Sequence, residues 1–181
     1  IAGDFDPAQA KKWVEKYFNE IKRGPEIPKL AKRPGLVPQT KKLYHEDNFA
    51  RVPQLNMAWP TVEDYHPDSY ALNVLAQYLS QGKTAPFYKV LVEDKKLTSG
   101  VSMGGYNSEI AGQFTLAVRA FPGKDLDEVA AAIQEAFAKF EKEGMAQKDL
   151  NRIIAGAETR FYNSLSSVLG KSSQLAEYNY L

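Results

Sequence analysis

Three short segments of this chain alternate apolar with polar residues, the pattern of β-strands that bury one face. They are residues 55–59, residues 101–103 and residues 114–118. The polar residues 106–109 predict a turn, so the second and third segments are expected to form a hairpin. Residues 42–46 are a further candidate strand. The alternation constrains the fold because a sheet with one apolar face needs other elements to cover that face.

Segments with helical spacing separate these candidate strands. Asp6 followed by Pro7 is typical of a helix start, and Asp125 begins a second capping pattern. The predicted helices cover residues 7–23, 67–81, 85–92, 126–143 and 150–165, and one more begins at residue 168. The aromatic residues at helical spacing are interpreted as core: Trp13, Tyr17, Phe18, Phe137 and Phe140.

The order of these elements predicts an α+β fold, in which an antiparallel or mixed β-sheet has its helices packed on one face. The length of 181 residues fits a single domain spanning residues 1–181. Residues 22–42 interleave four prolines with basic residues and predict an extended arm, a solvated linker rather than a site for an anionic partner. The chain begins without Met and ends inside a helical pattern, so we expect a fragment of a longer chain.

Composition excludes several classes of function. The 23 basic and 22 acidic residues give a net charge of +1, which argues against a nucleic-acid-binding surface. The chain has no cysteine, which excludes disulfides, cysteine zinc sites and thiol nucleophiles. No run of about 18 apolar residues is present, so no membrane span is expected. The compartment stays open, because both the bacterial cytoplasm and the periplasm accommodate such a chain.

The residues that could perform chemistry form no catalytic constellation. His45 and His66 are the two histidines, and neither lies in an H-x-x-E-H or H-E-x-x-H motif, which would present two imidazoles to zinc. We interpret His45 as a surface residue and His66 as part of a helix entry. The sequence has no G-x-S-x-G elbow and no phosphate-binding glycine motif. We therefore expect no metal, no cofactor and no catalytic residue in this chain.

Four segments considered together suggest a known family. They are residues 3–6 (GDFD) with the helix that follows, residues 71–79 (ALNVLAQYL), residues 84–97 (TAPFYKVLVEDKKL), and residues 112–115 (GQFT) with the exit FPG at 121–123. In this order and spacing they resemble the second, "inactive" lobe of the pitrilysin/insulinase-type zinc metallopeptidases, which include the mitochondrial processing peptidases. The resemblance extends over nearly the whole chain.

The resemblance implies a lobe that supplies chamber wall and substrate contacts, and no metal ligands. In this family each half of the molecule consists of two similar α/β lobes, and two halves close around a peptide. The zinc and its H-x-x-E-H motif belong to the first lobe, which would precede Ile1. The implied partners are that zinc-binding lobe, a second peptidase half in the same chain or in a partner subunit, and peptide substrates. Alone, this lobe would have no peptidase activity.

One pair of positions departs from the family pattern. In the half without metal, an Arg and a Tyr seven residues apart usually touch substrate, whereas Val92 and Ser99 occupy the matching positions here. This departure fits a lobe attached to the zinc-bearing half or to an inactive homologue, and we favour the former. The alternative is a non-catalytic structural subunit of the same fold, like the core proteins of respiratory complexes, and a third is an unrelated α+β binding domain. An H-x-x-E-H motif upstream of Ile1 would favour the peptidase, and its absence the structural protein.

The resemblance also implies a remote peptide-binding site. Its candidate residues are Gly82 and Lys83 in the loop after the second long helix, with Gly104, Gly105 and Tyr106 on the first hairpin strand. Glycines let a foreign backbone approach closely, and a strand with an open edge can pair with an extended peptide. The structural alternative is that Gly82 only caps a helix and that Gly104 and Gly105 only bend a strand.

Overall fold

The chain folds as helices and one three-stranded sheet, in a computed structural model that describes residues 1–33 and 35–180. The elements, in chain order, are α1 (Pro7–Phe18), β1 (Gln54–Thr61), α2 (Pro67–Ser80), a π-helix (Tyr88–Asp94), β2 (Thr98–Asn107), β3 (Gly112–Ala120), α3 (Leu126–Glu143), α4 (Gln147–Ser164) and α5 (Val168–Tyr180). The predicted α+β fold is confirmed.

The sheet is antiparallel, with the strand order β1-β3-β2. Its register brings the apolar positions of the three strands onto one face. Met57 of β1 and Met103 of β2 both lie opposite Leu116 of β3, whose side chain is fully buried. Residues directly opposite one another in a sheet point to the same side, so this inner face carries the apolar residues of all three strands. The predicted hairpin of β2 and β3 is confirmed, but its turn comprises residues 108–111 and not the predicted 106–109.

The hydrophobic core lies between the inner face of the sheet and the helices packed on it. α2 packs on β2, and α3 packs on β1 and β3. Phe87, which is fully buried, meets Phe137 of α3 in an edge-to-face contact with ring centroids 5.2 Å apart. The buried core consists of Leu79, Phe87, Val90, Leu91, Leu97, Leu116, Val118, Ala120, Val129, Ala132, Ile133 and Ala136.

Side-chain caps fix the beginnings of three helices. The Ala8 amide donates to the Asp6 carboxylate at 2.8 Å, and the Asp127 amide donates to the Asp125 carboxylate at 2.9 Å. Both caps confirm the predicted helix starts. His66 caps α2, because its Nδ1 accepts a hydrogen bond from the Asp68 amide at 3.2 Å. This histidine therefore satisfies one of the unpaired amides of a helix N-terminus, as its position before Pro67 suggested.

Two predicted elements differ in the structure. The strand predicted at residues 42–46 is wrong, since these residues are irregular and the side chains of Leu43 and Tyr44 are 92% and 83% exposed. A strand needs a neighbour that satisfies its main-chain groups, and the described residues supply none for this segment. The short helix expected at residues 85–92 is a π-helix instead, in which the Lys95 amide donates to the Val90 carbonyl at 3.0 Å.

By their internal contacts, the described residues form two compact units. The larger unit, residues 30–153, contains the sheet and the core. The smaller unit comprises residues 1–29 and 154–180, and its helix α1 has no buried residue. The core assignment is therefore wrong for Trp13, Tyr17 and Phe18, which are 56–65% exposed. The spacing correctly predicted an amphipathic helix, but burial also requires an element that covers its apolar face.

Two residues of the extended arm that belong to the larger unit, Lys32 and Arg33, are held near the end of β1. The Arg33 amide donates to the Ile110 carbonyl at 2.8 Å, and the Lys32 ammonium forms an ion pair with the Glu63 carboxylate. The hydrogen bond from Lys32, together with a backbone hydrogen bond, lowers the pKa of Glu63 below its ordinary value of 4.5. These contacts hold Lys32 and Arg33 at the sheet end where the β2–β3 turn lies.

We expect this ion pair to make stability depend on acid pH. Because the pKa of Glu63 is lower in the folded than in the unfolded chain, the folded state binds fewer protons, so the contribution is present above about pH 4.5 and is lost as the pH falls through the folded pKa. Lys32→Met should flatten this part of the curve of Tm against pH. Lys41→Met, which removes an exposed charge from the same arm, is the control. Parallel curves for Lys32→Met and the parent protein would contradict the assignment.

Candidate functional site

β2 forms an edge of the sheet, since β3 lies on one side of it and no described strand lies on the other. Most of its residues are exposed or half-buried. An edge strand presents unpaired amide and carbonyl groups, which can pair with another extended chain. An extended peptide could therefore pair with this edge of the sheet, while β1 forms the opposite edge.

Gly104 and Tyr106 lie next to each other on the outer face of β2. Their partners on β3 are Thr115 and Gln113, both exposed, on the face opposite the core. The Thr115 hydroxyl donates to the Gly104 carbonyl at 3.4 Å, and a Cβ at Gly104 would have no atom within 4 Å. The Tyr106 side chain is 70% exposed. The outer face therefore combines open space above a glycine with an accessible aromatic ring.

Gly105 lies on the inner face of the sheet, opposite Phe114. A Cβ there would be 3.2 Å from Asn107 Oδ1, 3.5 Å from the Phe114 ring and 3.6 Å from the Asn73 side chain of α2. The close approach is therefore to Asn107 of the same strand, whereas the distances to Phe114 and Asn73 are ordinary contacts. Of Gly104 and Gly105, only Gly104 lies on the outer face.

Gly82 and Lys83 lie beyond the C-terminal end of α2 and are exposed. Gly82 has a φ of +88°, a left-handed conformation that favours glycine after a helix. Asn73 lies near Gly105, and from there α2 continues for about 10 Å before the loop begins. The structure brings Gly104 and Tyr106 together on one face, and it places Gly82 and Lys83 apart from them.

A side-chain network on the same outer face involves residues that the sequence analysis missed. Arg119 of β3 lies opposite Gln54 of β1. The Arg119 Nε donates to Gln54 Oε1 at 3.1 Å, and Gln54 Nε2 donates to Asn56 Oδ1 at 2.9 Å. The strand alternation alone places each of these residues outward. Their pairing depends on the register between strands distant in sequence, which no local pattern reveals.

A β-bulge in β2 lies next to Arg119. The register shifts between Thr98 and Val101, so Ser99 and Gly100 together lie opposite Arg119. The buried Thr98 hydroxyl donates to the Arg119 carbonyl at 2.6 Å and accepts from the Gly100 amide at 3.2 Å. Bulges end or redirect strand pairing, and they are frequent beside functional sites. Regular pairing of β2 therefore extends from Val101 to its end.

Val92 and Ser99, the two positions that the resemblance matches to an Arg and Tyr pair, lie in different elements. Val92 is half-buried in the π-helix, and Ser99 is exposed in the bulge. Neither side chain carries a charge. An arginine does lie across the bulge from Ser99, on the neighbouring strand.

The described residues offer no ligand set for a metal ion. Residues 1–33 and 35–180 contain no group of three or more His, Asp or Glu side chains that could hold one. His45 is exposed, and His66 caps α2 as described above. The described residues therefore provide no ligand set for the zinc that the resemblance assigns to the other lobe. Within the same ranges, no helix is long and apolar enough to cross a bilayer.

An open apolar groove of about 440 Å³ lies between the end of β1 and α2. It is lined by Thr61, Val62, Asp68, Ala71, Leu72 and Leu75. Asp68 is the one ionisable side chain in this lining, and its amide is already used in the cap of α2. A single carboxylate beside aliphatic residues provides neither a nucleophile with its base nor an acid–base pair.

Solved protein structures share this fold. A protease from Helicobacter pylori matches with a TM-score of 0.74 and 19% identity, over 98% of this chain and 43% of that one. The peptidase M16 inactive domain from Pseudomonas fluorescens matches with a TM-score of 0.61 and 20% identity, over 85% of this chain and 37% of that one. The inactive peptidase domain of a candidate zinc protease from Bordetella parapertussis has a TM-score of 0.61 and 19% identity, with coverages of 68% and 67%.

This chain thus spans less than half the length of two of the proteins that it resembles in structure. No curated protein matches its sequence. The family model described as the Peptidase M16 inactive domain matches residues 1–157, which is most of the chain. The protein therefore belongs to the Peptidase M16 inactive domain family, the family of second lobes that its sequence resembles.

Proposed function

We propose that this chain is the accessory lobe of a zinc metalloendopeptidase, where it forms part of the substrate-chamber wall and holds one end of a peptide away from the metal. Membership of the inactive-domain family supports a role in binding and not in catalysis. The observation that carries the proposal is the open edge of β2, with Gly104 uncovered on its outer face.

The proposal assigns metal chemistry to another lobe. Zinc bound through an H-x-x-E-H motif in a preceding lobe would activate the water that attacks the peptide bond. The described residues of this chain contain no metal-ligand group, so their contribution is to bind and orient the peptide. The proposed assembly comprises this lobe, the zinc-binding lobe and a second peptidase half, which close around the substrate.

Main-chain pairing would give β2 affinity for many sequences. An extended peptide that adds to a sheet edge forms amide–carbonyl hydrogen bonds that do not depend on its side chains. Gly104 would leave room for peptide side chains or backbone over the outer face, and Tyr106 would add apolar area with a polar tip. Gly82 and Lys83 lie beyond the C-terminal end of α2. They would therefore contact only a part of the peptide that is not paired with β2.

Gly104→Val in the full-length protein should weaken the binding of long peptides roughly fivefold, about 1 kcal/mol. The branched side chain would occupy the open space above β2, while valine itself favours strands. Binding is measured by fluorescence anisotropy with labelled peptides, and zinc content by metal analysis. Gly24→Val is a matched control, since Gly24 is exposed, lies outside the sheet and also has nothing within 4 Å of a Cβ.

The proposal requires weaker peptide binding, unchanged zinc content and an unaffected control. Equal affinity of parent and Gly104→Val for long peptides would remove this edge as a binding site. A full-length protein that neither binds zinc nor cleaves peptides would instead favour the structural-subunit alternative.

A further inference from the structure

We propose that Arg119 is a specificity-determining residue that binds a carboxylate of the peptide paired with the edge of β2. This inference rests on the proposed peptide-binding role and adds the chemical class of the preferred substrate. Three observations support it. The Arg119 guanidinium is held by a hydrogen bond, the rest of the outer sheet face is uncharged, and a bulge interrupts the neighbouring strand β2 beside Arg119.

Arg119 is the one charged side chain on the outer face of the described strands. The other outward residues at paired positions are uncharged: Gln54, Asn56, Ala58, Pro60, Ser102, Gly104, Tyr106, Gln113, Thr115 and Ala117. A charge surrounded by small and neutral side chains has no local competitor for an anion. The electrostatic preference of this face for a negative group therefore depends on one residue.

The guanidinium is held in place by hydrogen bonds that leave its outer edge available. Its Nε donates to Gln54, and Gln54 is itself oriented by Asn56. Among the described residues, Arg119 takes part in no ion pair, and its terminal nitrogens have no hydrogen-bond partner. A guanidinium in this state presents a planar pair of donors, the geometry that matches a carboxylate.

The backbone of Arg119 is also anchored. Its carbonyl accepts a hydrogen bond from the hydroxyl of the buried Thr98. This hydrogen bond connects β3 to the bulge of β2. Across the bulge, Gly100 has nothing within 4 Å of a Cβ position, so no side chain there obstructs the approach to Arg119. An extended peptide near Val101–Asn107 would therefore reach an open, positively charged corner where regular pairing stops.

A carboxylate can come from two parts of a peptide, the side chain of Asp or Glu or the C-terminal α-carboxylate. Both offer two oxygens in one plane and bind a guanidinium in the same way. The test therefore uses three labelled ten-residue peptides. The first has one central Glu and an amidated C-terminus, the second has Gln and a free C-terminus, and the third has Gln and an amidated C-terminus.

Binding is measured by fluorescence anisotropy with the full-length protein, in the presence of a chelator so that the peptides stay intact. We expect at least one carboxylate peptide to bind about tenfold more tightly than the uncharged peptide. The peptide that binds more tightly than the uncharged peptide identifies whether the carboxylate comes from a side chain or from the C-terminus. Arg119→Gln should abolish the difference, and Arg119→Lys should restore part of it, because lysine keeps the charge but loses the planar fork.

Arg51→Gln is the matched control, since it removes an equal charge from an exposed residue outside the three strands. The Tm of each variant should equal that of the parent, because Arg119 is exposed. Equal affinity of the parent for all three peptides, or a preference that survives Arg119→Gln, would overturn the role of Arg119 and leave the binding edge intact. Failure of every peptide to bind would overturn the proposed function as well.

Discussion

Phe87→Ala should lower the free energy of unfolding by about 3–5 kcal/mol. The Phe87 side chain is fully buried and meets the ring of Phe137 edge to face at 5.2 Å. Truncation would remove its buried apolar surface and leave a cavity between the π-helix and α3, because close-packed neighbours relax only in part. The change is measured as a shift in the midpoint of urea unfolding.

Phe49→Ala is the control for this prediction. Phe49 is 93% exposed, so the same truncation should change stability by no more than about 0.5 kcal/mol. If Phe87→Ala shifted the midpoint of urea unfolding no more than Phe49→Ala, the assignment of Phe87 to the hydrophobic core would be wrong.

Gly112→Ala should destabilise the sheet by about 1–3 kcal/mol through overpacking. A Cβ at this position would lie 2.0 Å from the Val62 carbonyl oxygen and 2.9 Å from the Thr61 hydroxyl. Backbone atoms cannot move aside without loosening the pairing of Thr61 with Gly112, where β1 meets β3. The Asn107 side chain, which donates to the Val62 carbonyl at 3.1 Å, fixes this corner further.

Gly104→Ala provides a matched comparison on the same sheet. The substitution removes the same conformational freedom from the unfolded chain, but at Gly104 the new Cβ has nothing within 4 Å. Its urea midpoint should therefore stay close to that of the parent. Similar losses of stability in the two variants would show that strand propensity, and not the close approach at Gly112, determines the effect.

The fold class could be predicted because its determinants are local. Alternation located the hairpin strands, and the caps at Asp6 and Asp125 located two helix starts within a residue. β1 continues through Pro60 to Thr61, past the end predicted at residue 59. Proline is tolerated there because β1 is an edge strand and does not need every amide as a donor.

The candidate site could be predicted only in part. The resemblance pointed to Gly104 and Tyr106, which the structure places side by side on the outer face of β2. The same local pattern made Gly104 and Gly105 look alike, although the strand register places them on opposite faces of the sheet. Arg119 was overlooked because its partner Gln54 is distant in sequence and meets it only through strand register.

The sequence by itself determined most of the elements, the absence of cysteine chemistry and the family, since each depends on residue types and short-range spacing. Only the tertiary structure decided which apolar faces are covered and which outward residues are neighbours. Trp13 and Phe87 are both aromatic residues in helical segments, yet one is 56% exposed and the other fully buried. Burial and side-chain pairing depend on long-range packing, and a local pattern specifies which face is apolar without specifying what meets it.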